Sequence, residues 1–152
     1  MNAMVTLFFA LAFLVAVEKE RFPMAKDTYP FVLKVRDFYG AEGYGFDYYL
    51  DKRSLTVVLW DDFGSPRKEV FSKQLTDEEA SFWSKYLAKF PINKLKEDYT
   101  DDRVSDGMQR LFTIKTGSVE KNITVRNVHV KELMGLCRNL NSLLPKKMRM
   151  RV

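Results

Sequence analysis

One histidine, His129, and one cysteine, Cys137, are the chain's only candidates for a thiolate–imidazole nucleophile. They stand eight residues apart in a segment of helical apolar spacing. Eight helical residues turn through about 800° and rise about 12 Å, which leaves the two side chains roughly 80° apart around the cylinder. That separation exceeds the reach of the hydrogen bond that activates a nucleophile. His129 is therefore expected at a helix start or on the surface, and Cys137 as a small buried hydrophobe. Carboxylates gather at Glu97, Asp98, Asp101, Asp102 and Asp106, followed by Gly107. A calcium loop needs oxygen ligands that close on one point around a sharp glycine turn. The spacing here does not match, so a solvated acidic loop is expected, with Asp106 capping the backbone. Asp61, Asp62 and Glu69 are carboxylates of the kind that flank a glycosidic bond, but at a generic spacing. The expectation is no catalytic residue, no cofactor and no metal.

Aromatic residues offer contact chemistry instead. Phe38, Tyr39, Tyr44, Phe46, Tyr48 and Tyr49 surround a stretch punctuated by Gly40, Gly43 and Gly45. Tyrosines beside glycine-rich loops supply rigid contact area on an adaptable backbone, as recognition surfaces do. The expected partner-binding residues are Tyr39, Tyr44, Trp60, Asp61 and Asp62. The competing expectation is that these rings complete the core.

Such residues need a scaffold. β-patterned runs cover Phe31 to Phe38, Tyr44 to Leu50, Leu55 to Trp60 and Glu69 to Leu75. The third is apolar on both faces, which predicts a central strand. Thr76 and Glu79 have capping-box spacing. The helix they open carries Ala80, Trp83, Tyr86, Leu87 and Phe90 on one stripe and stops at Pro91. Ile92, Leu95 and Tyr99 are expected anchors of an irregular stretch. Gly117-Ser118 separates two further β runs and predicts a tight hairpin with Thr116 opposite Val119. That register sets Phe112 against Ile123 and Lys115 against Glu120. Leu133, Cys137, Leu140 and Leu144 mark a last helix before Pro145. Met148, Met150 and Val152 alternate with Arg149 and Arg151, which predicts a closing edge strand. The sum is one α+β domain over residues 30–152. Its expected antiparallel sheet has the order ββββ-α-ββ-α-β, with two helices on one face.

Polarity changes abruptly at the amino end. Residues 1–17 carry no charged side chain, and Glu18-Lys19-Glu20-Arg21 follows. This apolar leader reads as a signal peptide or a membrane anchor, with a buried helix of the fold as the remaining alternative. Residues 18–29 read as a flexible lead-in. The expected location is exported, periplasmic or envelope-associated. A lone cysteine permits no internal disulfide, so an exported domain must rest on its core, a habit of bacterial envelope proteins. The net charge is +5, but the last seven residues carry four cations, leaving about +1 for the rest. A basic tail on a balanced body argues against a nucleic-acid partner.

From the capping box onward the chain resembles a family of small secreted proteins of unknown function common in Bacteroidetes. The resemblance is carried by Leu95-Lys96-Glu97-Asp98-Tyr99, Ser105-Asp106-Gly107-Met108-Gln109 and Phe112-Thr113-Ile114-Lys115. It continues through Lys121-Asn122-Ile123-Thr124-Val125-Arg126-Asn127 and Asn139-Leu140-Asn141-Ser142-Leu143-Leu144-Pro145. It covers about half of the chain. The resemblance implies a secreted α+β fold and no activity. The functional expectation is a non-catalytic exported protein that binds another protein, as an immunity- or inhibitor-type protein does. The alternatives are a structural or accessory envelope component, or a binder of small ligands or glycans that uses surface tyrosines.

Overall fold

A computed structural model describes residues 30–39, 43–104 and 107–152. The leader, the lead-in, Gly40 and Asp106 lie outside the described residues. The elements run β1 (Phe31–Tyr39), β2 (Tyr44–Asp51), β3 (Ser54–Asp61), β4 (Lys68–Gln74), α1 (Asp77–Ala88), β5 (Asp98–Thr100), β6 (Met108–Thr116), β7 (Val119–Arg126) and α2 (Lys131–Ser142). The strands form one mixed seven-stranded sheet in the order β4-β3-β2-β1-β6-β7-β5. The class is α+β, as the run of strands and helices implies.

Period-two alternation divides the sheet into two unlike faces. On the inner face Leu33, Val35, Tyr48, Leu50, Leu55, Val57, Phe112, Ile114, Ile123 and Val125 are buried. They share one cluster with Trp83 and Leu87 of α1 and with Leu133, Leu136, Cys137 and Leu140 of α2. Both helices thus bury their stripes against that face. On the outer face Lys34, Arg36, Phe38, Gly45, Asp47, Tyr49, Val58, Trp60, Leu111 and Thr113 follow the opposite parity, and neither helix covers them.

Local chemistry sets the element ends. The Glu79 amide donates to Thr76 Oγ1 at 3.2 Å and the Thr76 amide donates to Glu79 Oε2 at 3.0 Å, completing the capping box. Gly117 has φ +58 at the hairpin tip, and the pairs Thr116–Val119, Phe112–Ile123 and Lys115–Glu120 hold the expected register. Ile92 and Leu95 are buried, and Tyr99 packs against the core.

The order of elements departs from expectation in three places. Asp98–Thr100 forms a short edge strand that pairs in parallel with β7. Three residues within an acidic stretch are too few to show a period, and only the neighbour reveals the strand. β3 lies second from an edge, and β1 takes the centre. The apolar outer face of β3 is accounted for by Trp60, which stacks on Phe38 across the sheet.

The third departure is the tail, which is not a strand. Lys146–Met148 is a 3-10 turn, and Met148 and Met150 are buried while Arg149 and Val152 are exposed. Side chains replace the neighbouring strand. Asn141 Nδ2 donates to the Met150 carbonyl at 2.9 Å, and the Met150 amide donates to Asn141 Oδ1 at 2.8 Å. Tyr48 Oη donates to the Met148 carbonyl at 3.0 Å, and Arg110 Nη2 donates to the Arg151 carbonyl at 2.6 Å. The alternation in the tail reflects burial on one side, which a side-chain-pinned strap satisfies as well as a ladder does.

Candidate functional site

The sheet face turned away from α1 and α2 carries a buried charge on β2. Asp47 is only 3% exposed although neither α1 nor α2 lies above it. A carboxylate so placed requires donors. Arg36, its cross-strand partner, supplies Nε at 2.8 Å and Nη2 at 2.9 Å. Trp60 Nε1 donates at 3.0 Å, and Tyr49 Oη and Arg67 Nη1 each donate at 3.2 Å. A carboxylate accepts about four hydrogen bonds comfortably, so Asp47 has no acceptor left with which to serve as a base. Hydrogen bonding to Asp47 raises the pKa of Arg36. Burial raises that of the Tyr49 phenol, and the Asp47 charge adds to it. Around Asp47, Arg36 and Arg67 outweigh the one carboxylate, which leaves +1.

Gly45 makes this arrangement possible. It pairs with Phe38 of β1 on one side and Trp60 of β3 on the other. Having no side chain, it lets the rings of the flanking strands meet across it. Phe38 and Trp60 stack with centroids 5.4 Å apart and planes 10° apart. The Arg36 guanidinium lies 5.2 Å from the Trp60 ring, within cation–π range. A Cβ on Gly45 would meet the Asp37 carbonyl oxygen and Trp60 Cζ2, each at 2.6 Å. Beside the stack, Arg36, Phe38, Trp60, Asp62, Gln109 and Leu111 line an open hollow of about 320 Å³. Leu111 is among the exposed large hydrophobic residues.

The residues anticipated for contact gather at this end of the sheet but divide between its faces. Trp60 and Asp62 share the hollow. Tyr39 pairs with Tyr44, and Tyr44 with Asp61, so the three form a cross-strand row. The Tyr44 ring packs edge-on to Phe46, on the helix side. Asp61 shapes the loop that follows, accepting from the Phe63 amide at 2.9 Å and the Ser65 amide at 3.1 Å. Its pKa is lowered, foremost by hydrogen bonding to the Ser65 side chain and further by these amides. As alternation requires, Tyr48 and Leu50 point to the core while Tyr49 reaches Asp47 on the other face.

Arg36, Asp47 and Leu111 were missed in the sequence. The available signal was a glycine flanked by aromatics at a strand position, a mark of close approach. His129 is exposed ahead of α2, whereas Cys137 is fully buried, so the two are not brought together. Burial pushes the Cys137 thiol up to about 12. Asp101 is occupied by Arg103, and Asp98 accepts from the Thr100 hydroxyl. Among the described residues no three His, Cys, Asp or Glu side chains converge as metal ligands would.

No known protein-family model matches this chain, and no curated protein matches its sequence.

Proposed function

We propose that the chain is a non-catalytic exported protein that binds another protein through the outer face of its sheet, in the manner of an immunity- or inhibitor-type protein. The observation that carries this reading is the Asp47 cluster. A buried charge is costly, and here it stands on the face that neither α1 nor α2 packs against, where the core gains nothing from it. What it does is hold Trp60, Arg36 and Tyr49 in place. Tryptophan, arginine and tyrosine dominate binding hot spots, above all when they are held rigid before the partner arrives. Asp62 and Leu111 complete the contact set, one polar and one apolar. Export rests on the apolar leader.

The test is affinity capture from the native envelope with tagged exported protein, run in parallel with Asp62→Arg/Leu111→Asp. Neither side chain belongs to the core cluster, so the variant should fold. A partner retained by the original chain and lost by the variant is expected. A partner held equally by both would reject this face. A second reading, a glycan or small-ligand binder, is favoured by the hollow itself, where Trp60 and Phe38 sit beside Arg36, Asp62 and Gln109. Glycan-array binding abolished by Trp60→Ala, without any protein captured, would favour it.

A further inference from the structure

We propose that the groove between α1 and α2, on the side of the molecule away from the Asp47 cluster, is a second docking site, and that it takes a short acidic peptide segment bearing one bulky apolar anchor. The groove is an open trough of about 420 Å³. Its floor is Tyr86, Phe90 and Gly135, and its rim carries Lys89, Lys131 and Arg138. Glu132 is the one carboxylate of the lining, so three cations against it leave +2. Among the described residues none of those three cations forms an ion pair with an acidic side chain. At one end Phe82, 49% exposed, stacks on Tyr86 with centroids 5.8 Å apart and planes 12° apart. An apolar floor inside a cationic rim complements an apolar anchor flanked by carboxylates.

Two local choices in α2 accord with such an occupant. Gly135 lies inside the helix, where glycine is the weakest former after proline. Packing within the chain does not require it. A Cβ there would find Tyr86 Oη at 3.8 Å and Arg138 Nη2 at 3.9 Å, both ordinary contact distances. A glycine that internal packing does not require, on the floor of a groove, leaves room for close approach from outside. Lys131 is the first residue of α2, where the helix dipole disfavours a cation. Local choices that oppose the element they sit in mark functional positions. The groove is concave, which suits an inserted side chain better than the flat surface of a membrane.

The test uses the full chain and three labelled synthetic peptides. One has a central Phe-Leu pair flanked by Asp and Glu, one has the same pair flanked by Lys and Arg, and one has acidic flanks around Ser-Ser. Affinity is read by fluorescence anisotropy and the site by backbone amide shifts. The acidic Phe-Leu peptide should bind at least about tenfold tighter than either control, and more weakly as salt rises. Gly135→Ala should raise Tm by roughly 2–4 °C, since alanine favours the helix. The same change should weaken the peptide about tenfold by filling its seat. Lys131→Glu/Arg138→Glu should abolish binding without lowering Tm, and this variant decides the matter should Gly135→Ala misfold. Trp60→Ala should leave the peptide affinity unchanged, which separates this site from the outer sheet face. Equal binding of the basic peptide, or a Gly135→Ala protein that is more stable yet binds equally, would overturn the proposal. So would adsorption to phosphatidylglycerol vesicles through this face with no preference among the peptides.

Discussion

Asp37 and Asp47 each grip a cross-strand arginine with both carboxylate oxygens, on opposite faces of the sheet. Asp37 meets Arg110 at 2.8 and 3.3 Å, and Asp47 meets Arg36 at 2.8 and 2.9 Å. Their removal should have unequal effects. The Arg110 and Asp37 side chains are 1% and 0% exposed, so Asp37→Ala takes the bidentate carboxylate from a guanidinium inside the core. Breaking one side of such a pair costs about 3–5 kcal/mol. The Arg36 and Arg67 side chains are 39% and 56% exposed and can turn to water when Asp47 is removed. What Asp47→Ala leaves unmade are the bonds from the Trp60 indole and the Tyr49 phenol, about 1–2 kcal/mol together. In a domain of this size those losses correspond to a fall in Tm of roughly 15 °C for Asp37→Ala and about 6 °C for Asp47→Ala. Urea unfolding with an unchanged m-value gives the same comparison in free energy. Asp37→Leu/Arg110→Met should recover most of the loss, because an apolar pair of similar size needs no partner. It would still leave the Arg151 carbonyl without its Arg110 donor, so amide exchange in the tail should quicken. If Asp47→Ala proves as costly as Asp37→Ala, or the double replacement no better than Asp37→Ala, the contrast drawn from burial is wrong.

Two further outcomes are expected. Gly45→Ala drives a methyl group into the Asp37 backbone oxygen, which cannot yield as a side chain tip can. It should cost about 1–3 kcal/mol and shift the Trp60 indole N–H resonance, and an unmoved resonance would refute the seat described for the ring. Cys137 should resist thiol reagents at pH 8 in the folded protein, since burial pushes it up to about 12 from an ordinary value near 9. A pKa raised on folding favours the neutral thiol. Its contribution is therefore complete below about pH 9 and lost as pH climbs towards about 12. Tm should fall more steeply above pH 9 than in Cys137→Ala, and rapid stoichiometric labelling of native protein would contradict this burial.

Much of the scaffold can be read directly from residue order. Alternation and helical spacing locate the first four strands, the hairpin and both helices, because each depends on neighbours within a turn or a pleat. Thr76 with Glu79 and Gly117 with Ser118 are self-contained signals, and both behave as their chemistry dictates. Asp98–Thr100 is a strand only because β7 lies beside it, and the tail is a strap only because Asn141, Tyr48 and Arg110 reach it. Of these partners only Asn141 is near in the chain, and β7, Tyr48 and Arg110 are all distant.

The candidate site shows the same division. The aromatic run and the loop acids place interest at the correct end of the sheet, and Trp60 and Asp62 do meet there. The sorting of Tyr44 from Trp60, the burial of Asp47 on the face away from both helices and the stacking of Phe38 on Trp60 across Gly45 are absent from any local pattern. They depend on which strands become neighbours and in what register, and a single strand in isolation carries no information on either. Composition and spacing decide which elements form, since those energies act over a few residues. Strand order and face decide what the side chains become, since burial and charge pairing act between segments far apart in sequence.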